Sequence, residues 1–167
     1  MGAPAALVRF VEPWSQWYSD STVLPTIIVF GHIAALVFAG GLAVTMDRGT
    51  LRAVHEAAEF RWRQLEELDR AHRLVVFGLV LSVITGVLLF TADLETYFGS
   101  PIYWTKMTLI AGLLVNGYVM TRTEARIRSS PGAEDDAGWR RLRTTARLSI
   151  ALWFAIAFVG VALVKSA

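Results

Sequence analysis

The chain has 167 residues, with 16 Lys and Arg against 14 Asp and Glu, a net charge of +2. Its 54% hydrophobic content and mean hydropathy of +0.48 exceed what a soluble domain of this length usually carries. The absence of cysteine excludes disulfides, iron–sulfur clusters and thiolate metal sites.

Residues 1–21 read as an interfacial segment. Leu7–Tyr18 mixes apolar and aromatic side chains, Pro13 is expected to interrupt any helix there, and Trp14, Trp17 and Tyr18 suit a lipid headgroup zone. The order of basic start, apolar centre and small-residue cleavage site that marks a signal peptide is not found in this stretch.

Four apolar runs follow, at 22–46, 71–92, 102–121 and 145–164. Each is close to the roughly 20 residues that a helix needs to cross a bilayer. Run one opens with Pro25, acceptable in a first turn, and holds Gly31, Ala34, Ala35, Ala39, Gly40 and Gly41, small residues of the kind that let helices approach closely in lipid. Loop one, 47–70, has six acids and five Arg, and reads as an amphipathic cytoplasmic helix with the stripe Leu51, Val54, Ala58, Trp62, Leu65, Leu68. Loop two is short, so runs two and three are expected as antiparallel neighbours. Loop three, 122–144, contains Ser129–Gly138, a Pro-, Gly- and acid-rich stretch expected to turn at the membrane surface.

Thirteen of the sixteen basic residues lie in loops one and three or at their edges, against Arg9, Lys106 and Lys165 on the other side. In a soluble protein a pI near 9.3 would point to nucleic acid. This distribution instead follows the positive-inside bias, with loops one and three cytoplasmic. The expected fold is therefore all-α: a polytopic protein of the bacterial inner membrane, four antiparallel transmembrane helices in one bundle, both termini outside, surrounded by lipid and with no nucleic-acid partner.

Strongly polar side chains inside a membrane are functional candidates by default. His32 lies within run one among small residues. Neutral imidazole ligates haem iron or copper, and it also hydrogen-bonds neighbouring helices, so both readings stand. Counting inward places Thr85–Gly86 at its depth, and Met107 about a turn nearer the outside as a soft second ligand. His72 and Arg73 open run two as an interfacial basic cluster, and His55 falls in loop one. Asp93 and Lys106 flank loop two and are expected to form an ion pair that holds the hairpin. Asn116 is expected to bond across helices. Serine-nucleophile, Walker and dinucleotide patterns are absent, and no enzymatic activity is expected.

The stretch Phe77–Asn116 carries a resemblance. It contains Thr85-Gly86, the TGVLLFTAD run to Asp93, Tyr97, Ser100-Pro101, Trp104-Thr105-Lys106-Met107 and Asn116; His32-Ile33-Ala34-Ala35 and Gly40-Gly41 precede it. This pattern resembles small bacterial four-helix membrane proteins distantly similar to the membrane domain of the copper-resistance protein D family. The resemblance implies handling of copper or a b-type haem in the membrane, with His32 as ligand and Lys106 and Asn116 as matching structural positions. The His that often follows the Asn in such chains is replaced here by Tyr118-Val119-Met120. Two functions are expected from these readings: a metal- or haem-binding membrane protein, or an accessory subunit of a larger respiratory or photosynthetic complex, or homo-oligomer, in which the same His holds a pigment.

Overall fold

The computed structural model describes residues 3–129 and 136–166. Among them are six helices: α1 (Ala5–Asp20), α2 (Val23–Ala53), α3 (Ala58–Ala92), α4 (Leu94–Gly99), α5 (Pro101–Ser129) and α6 (Asp136–Ser166). Three of these, α2, α3 and α6, are long and apolar enough to cross a membrane. Each takes in one of the apolar runs, α2 all but its first residue, and extends beyond it. Loop one is thus reduced to a turn between α2 and α3, because its amphipathic stripe continues the helical period of both neighbours. Leu65 and Leu68 of that stripe are buried, while Ala58 is exposed. Most of the Pro/Gly/acid stretch expected to form the turn of loop three lies outside the described residues.

The four long helices pack in the order α3, α2, α6, α5. Side chains join α3 and α5 at both ends of the bundle. Arg128 donates to the Leu65 carbonyl and pairs with Asp69 at 3.7 Å, and Phe90 stacks on Tyr103 with ring centroids 4.9 Å apart. One end of the bundle is rich in arginine. The other is aromatic, with Trp14, Trp17, Tyr18, Tyr97, Tyr103 and Trp104.

At the aromatic end, α1 runs straight through Pro13. The expected interruption does not occur. A proline inside a helix costs about 3 kcal/mol, and tertiary contacts offset it. Trp14 Nε1 donates to the Leu88 carbonyl at 3.1 Å, Ser15 Oγ donates to the Ala92 carbonyl at 2.6 Å, and Val11 is buried. Ala92 is the last residue of α3, so Ser15 satisfies a carbonyl that the helix end leaves without a partner.

Two buried clusters hold the bundle. One, at the arginine end, contains Ala53, Leu65, Leu68, Met120, Ile127, Trp139, Leu142 and Ala146. The other, midway along, contains Ala39, Leu113, Trp153 and Ile156. The small residues of α2 divide by face: Ala35, Ala39 and Gly40 are buried against α3 and α6, whereas a side chain at Gly41 would meet nothing within 4 Å. The outward faces of α2, α3 and α6 are apolar, as Phe30, Val37, Phe77, Val80, Phe154 and Phe158 show.

Candidate functional site

His32 stands about nine residues into α2, on the face packed against α3. Its Nδ1 lies 3.1 Å from the Ser82 carbonyl and 3.0 Å from Thr85 Oγ1. Thr85 Oγ1 donates its own proton to the Leu81 and Ser82 carbonyls, at 2.8 and 3.1 Å. The Ser82 carbonyl can only accept, so a proton on Nδ1 is the arrangement that satisfies this contact. A neutral ring with that proton on Nδ1 keeps the Nε2 lone pair available. The ring lies against Gly86, where an added Cβ would come within 3.3 Å of His32 Cε1. The glycine thus makes room for the imidazole. The depth reckoned from sequence, at Thr85–Gly86, is where His32 meets α3.

Lys106 lies early in α5 and is partly buried. Its Nζ approaches α6 at Gly160, 3.7 Å from where a Cβ would be. The expected ion pair with Asp93 is not formed among the described residues. Asp93 is exposed, and its carboxylate instead accepts from the Thr96 N–H as the N-cap of α4. The local turn captures the carboxylate because α4, a short helix within loop two, has unsatisfied N–H groups at its start.

Asn116 is buried, and its Nδ2 donates to the Thr145 carbonyl at 2.9 Å, linking α5 to α6. Met107 is half-buried on α5. His72 and Arg73 are exposed on α3. They lie nine to ten residues before Ser82, about 15 Å along the axis, and so stand apart from His32. His55 is exposed in the turn between α2 and α3. Among the described residues no group of three or more His, Asp or Glu is placed to hold a metal ion.

A second polar cluster, missed by sequence reading, lies where the bundle leaves the apolar runs. Asp47 is buried with Ser149 hydrogen-bonded to it, and its Oδ2 has no partner among the described residues. Gln64 Nε2 donates to the Met46 carbonyl and to Thr50 Oγ1, at 3.2 and 3.4 Å. Glu124, three residues past the third apolar run, is also buried. Asp47 and Glu124 were legible only as loop charges. The available signal was the i, i+3 spacing of Asp47 and Thr50, which places both on one helix face.

Burial pushes the Glu124 carboxyl up to about 7, aided by Asp69 and Asp47 and opposed by Arg128. In the unfolded chain the group ionises near 4.5. The folded protein therefore binds the proton more tightly, and this contribution to stability is complete below pH 4.5 and lost as pH rises towards 7. Unfolding followed between pH 5 and 8 is expected to show Glu124→Gln less dependent on pH than the wild type, and more stable at pH 8. An unchanged slope in the variant would assign the pH dependence to other groups.

Comparison of the chain with protein-family models, with curated proteins and with solved structures finds no match.

Proposed function

We propose that this chain is a non-enzymatic four-span protein of the bacterial inner membrane that binds a b-type haem through His32 Nε2. The fourth span is α5. It has 29 residues, about 43 Å of helix at 1.5 Å per residue, and Asn116, buried within its apolar run, donates to the Thr145 carbonyl. Lys106, Asn116 and neighbouring aromatics lower its hydropathy below that of the other three. The arginine end is cytoplasmic by the positive-inside bias, and both termini lie outside.

The observation that carries the haem reading is the contact of His32 Nδ1 with the Ser82 carbonyl. A metal-bound imidazole commonly donates its other ring N–H to a carbonyl or carboxylate, which orients the ring and raises its basicity. Nδ1 faces the Ser82 carbonyl in that manner. Haem is favoured over copper because the donor set is a single imidazole. A protein-bound copper ion needs several side-chain donors in one place, whereas a macrocycle brings four nitrogens of its own and asks the protein for axial ligands only. When bound, haem would supply one-electron redox chemistry. His32 and Met107 would hold it, and Lys106 would neutralise the carboxylates the group carries.

The test is the absorption spectrum of detergent-purified protein, oxidised and reduced, with metal analysis of the same sample. A Soret band that shifts on reduction is expected, together with near-complete loss of haem in His32→Ala while the variant still inserts and elutes as a single species. A colourless, iron-free wild type, or haem retained by His32→Ala, would leave His32 as an interhelix hydrogen bond and nothing more.

A further inference from the structure

The four long helices form two hairpins. One is α2 with α3, the other α5 with α6, and α2 packs on α6 where the two meet. Towards the arginine end each hairpin places a carboxyl inside the bundle. Asp47 of α2 is 3% exposed and Glu124 of α5 is 8% exposed. We propose that Asp47 and Glu124 form a proton-binding site that holds the hairpins together at this end while protonated and lets them part when the protons leave. The inference rests on the packing of the helices and is independent of the haem.

Asp47 carries the argument. It lies nearly two turns inside the end of α2. Its Oδ2 is shut off from solvent and has no hydrogen-bond partner among the described residues. The Ser149 side chain of α6 bonds the carboxyl and brings no charge. Gln64, facing the same space from α3, is also neutral and donates to the Met46 carbonyl and to Thr50 Oγ1. An ionised carboxylate here would be a buried charge without a cation, whereas the neutral acid leaves only one polar group unpaired.

The charges around Glu124 come from three helices: Asp47 of α2, Asp69 of α3 and Arg128 of its own helix. Arg128 is the cation of this set, and it donates to the Leu65 carbonyl and pairs with Asp69 at 3.7 Å. A charge on Asp47 therefore raises the cost of ionising Glu124, and the effect is reciprocal. Both groups ionise at low cost only where water reaches them, and water enters where the hairpins separate. Leu65 and Leu68 packed on Trp139 and Leu142 oppose that separation, as do the Arg128–Asp69 and Arg61–Asp136 pairs across the same seam. Protonation of the two acids removes the one force that works against these contacts.

The test is the distance between spin labels on the two hairpins at pH 5 and pH 8 in detergent. The chain has no cysteine, so Arg52→Cys on α2 and Ala125→Cys on α5, both at exposed positions, take the labels alone. The distance is expected to lengthen at pH 8 by about 3 Å or more, the width of the water that must enter. With Asp47→Asn/Glu124→Gln added, it is expected to stay at its pH 5 value throughout. Glu124→Gln alone is expected to lengthen less than the unsubstituted pair, and serves if the double variant does not fold. Labels at Val23 and Thr105, exposed near the other end of the bundle, are expected not to move. An unchanged distance between Arg52→Cys and Ala125→Cys would overturn the proposal. So would a full lengthening that survives in the amide variants, which would assign it to other groups such as the exposed His55 and His72. Equal lengthening at Val23 and Thr105 would also overturn it, because the whole bundle would then be unfolding.

Discussion

Replacing Trp139 by alanine is expected to destabilise the bundle by about 3–5 kcal/mol, the cost of deleting a large aromatic from a packed core. Trp139 is 1% exposed, and it packs in the cluster of Leu65, Ile127 and Leu142 with the Arg61 guanidinium 5.5 Å from its ring centre. Much of this cluster lies beyond the apolar runs, at 65, 68, 127, 139 and 142, so it works as a soluble four-helix core in which burial removes apolar surface from water. Its Nε1 is buried without a hydrogen-bond partner among the described residues, an arrangement that itself costs about 1–3 kcal/mol. Trp139→Phe keeps most of the ring and removes the unpaired N–H, so it is expected to be near neutral. Denaturant unfolding in a mild detergent compares the two. Equal losses in both variants would mean that the indole N–H, not the volume, is what the site requires.

The second large effect is expected at Gly78. A Cβ there would come within 2.9 Å of Ala39 Cβ, 3.3 Å of Phe38 Cδ1 and 3.4 Å of the Ala35 carbonyl. Ala39 Cβ is fixed to the backbone of α2 and cannot yield without moving the helix. Gly78→Ala sets an overpacking cost of about 1–3 kcal/mol against a gain in helix propensity of about 1 kcal/mol. Gly78→Leu cannot be accommodated unless α2 and α3 separate. Ser82 is one turn further along α3, so separation would also pull the Ser82 carbonyl and Thr85 from His32. Loss of thermal stability and of the His32 contact are therefore expected together in Gly78→Leu. Gly41→Leu, at a position with nothing within 4 Å, is expected to be neutral or slightly stabilising. A Gly78→Leu variant as stable as Gly41→Leu would show that the two helices do not meet as closely as the structure has them. The contrast has a physical basis. Inside a bilayer the helices gain nothing by hiding apolar surface from lipid, so their association depends on close packing, and a single methyl group in the seam is felt.

Both predictions depend on features that sequence reading reached only in part. The small residues of α2 are visible as a composition, but composition does not distinguish Gly40, which lies under Trp153, from its neighbour Gly41, which packs on nothing. Rotation about the helix axis separates them, and that rotation is set by which partners pack on α2. Pro13 is a sound local argument for a break, and it fails because the last turn of α3 offers carbonyls to Trp14 and Ser15. Asp93 and Lys106 carry opposite charges near each other in sequence, yet Asp93 is used by a short helix whose start competes for it.

His32 is the case where sequence and structure meet. Its chemistry, its place among small residues and its depth opposite Thr85–Gly86 follow from residue types and a 1.5 Å rise per residue. Its protonation does not, because the tautomer depends on which acceptors surround Nδ1, and those sit fifty residues away on another helix.

The sequence alone determined the helical class, the apolar runs and the segregation of arginine to one end, because hydropathy and charge act on each segment independently of its neighbours. Only the tertiary structure decided which glycines are seams, which carboxylates are buried and which nitrogen of His32 faces a carbonyl. These are properties of pairs of helices in contact, and long-range contact is what a linear pattern of residues does not encode locally.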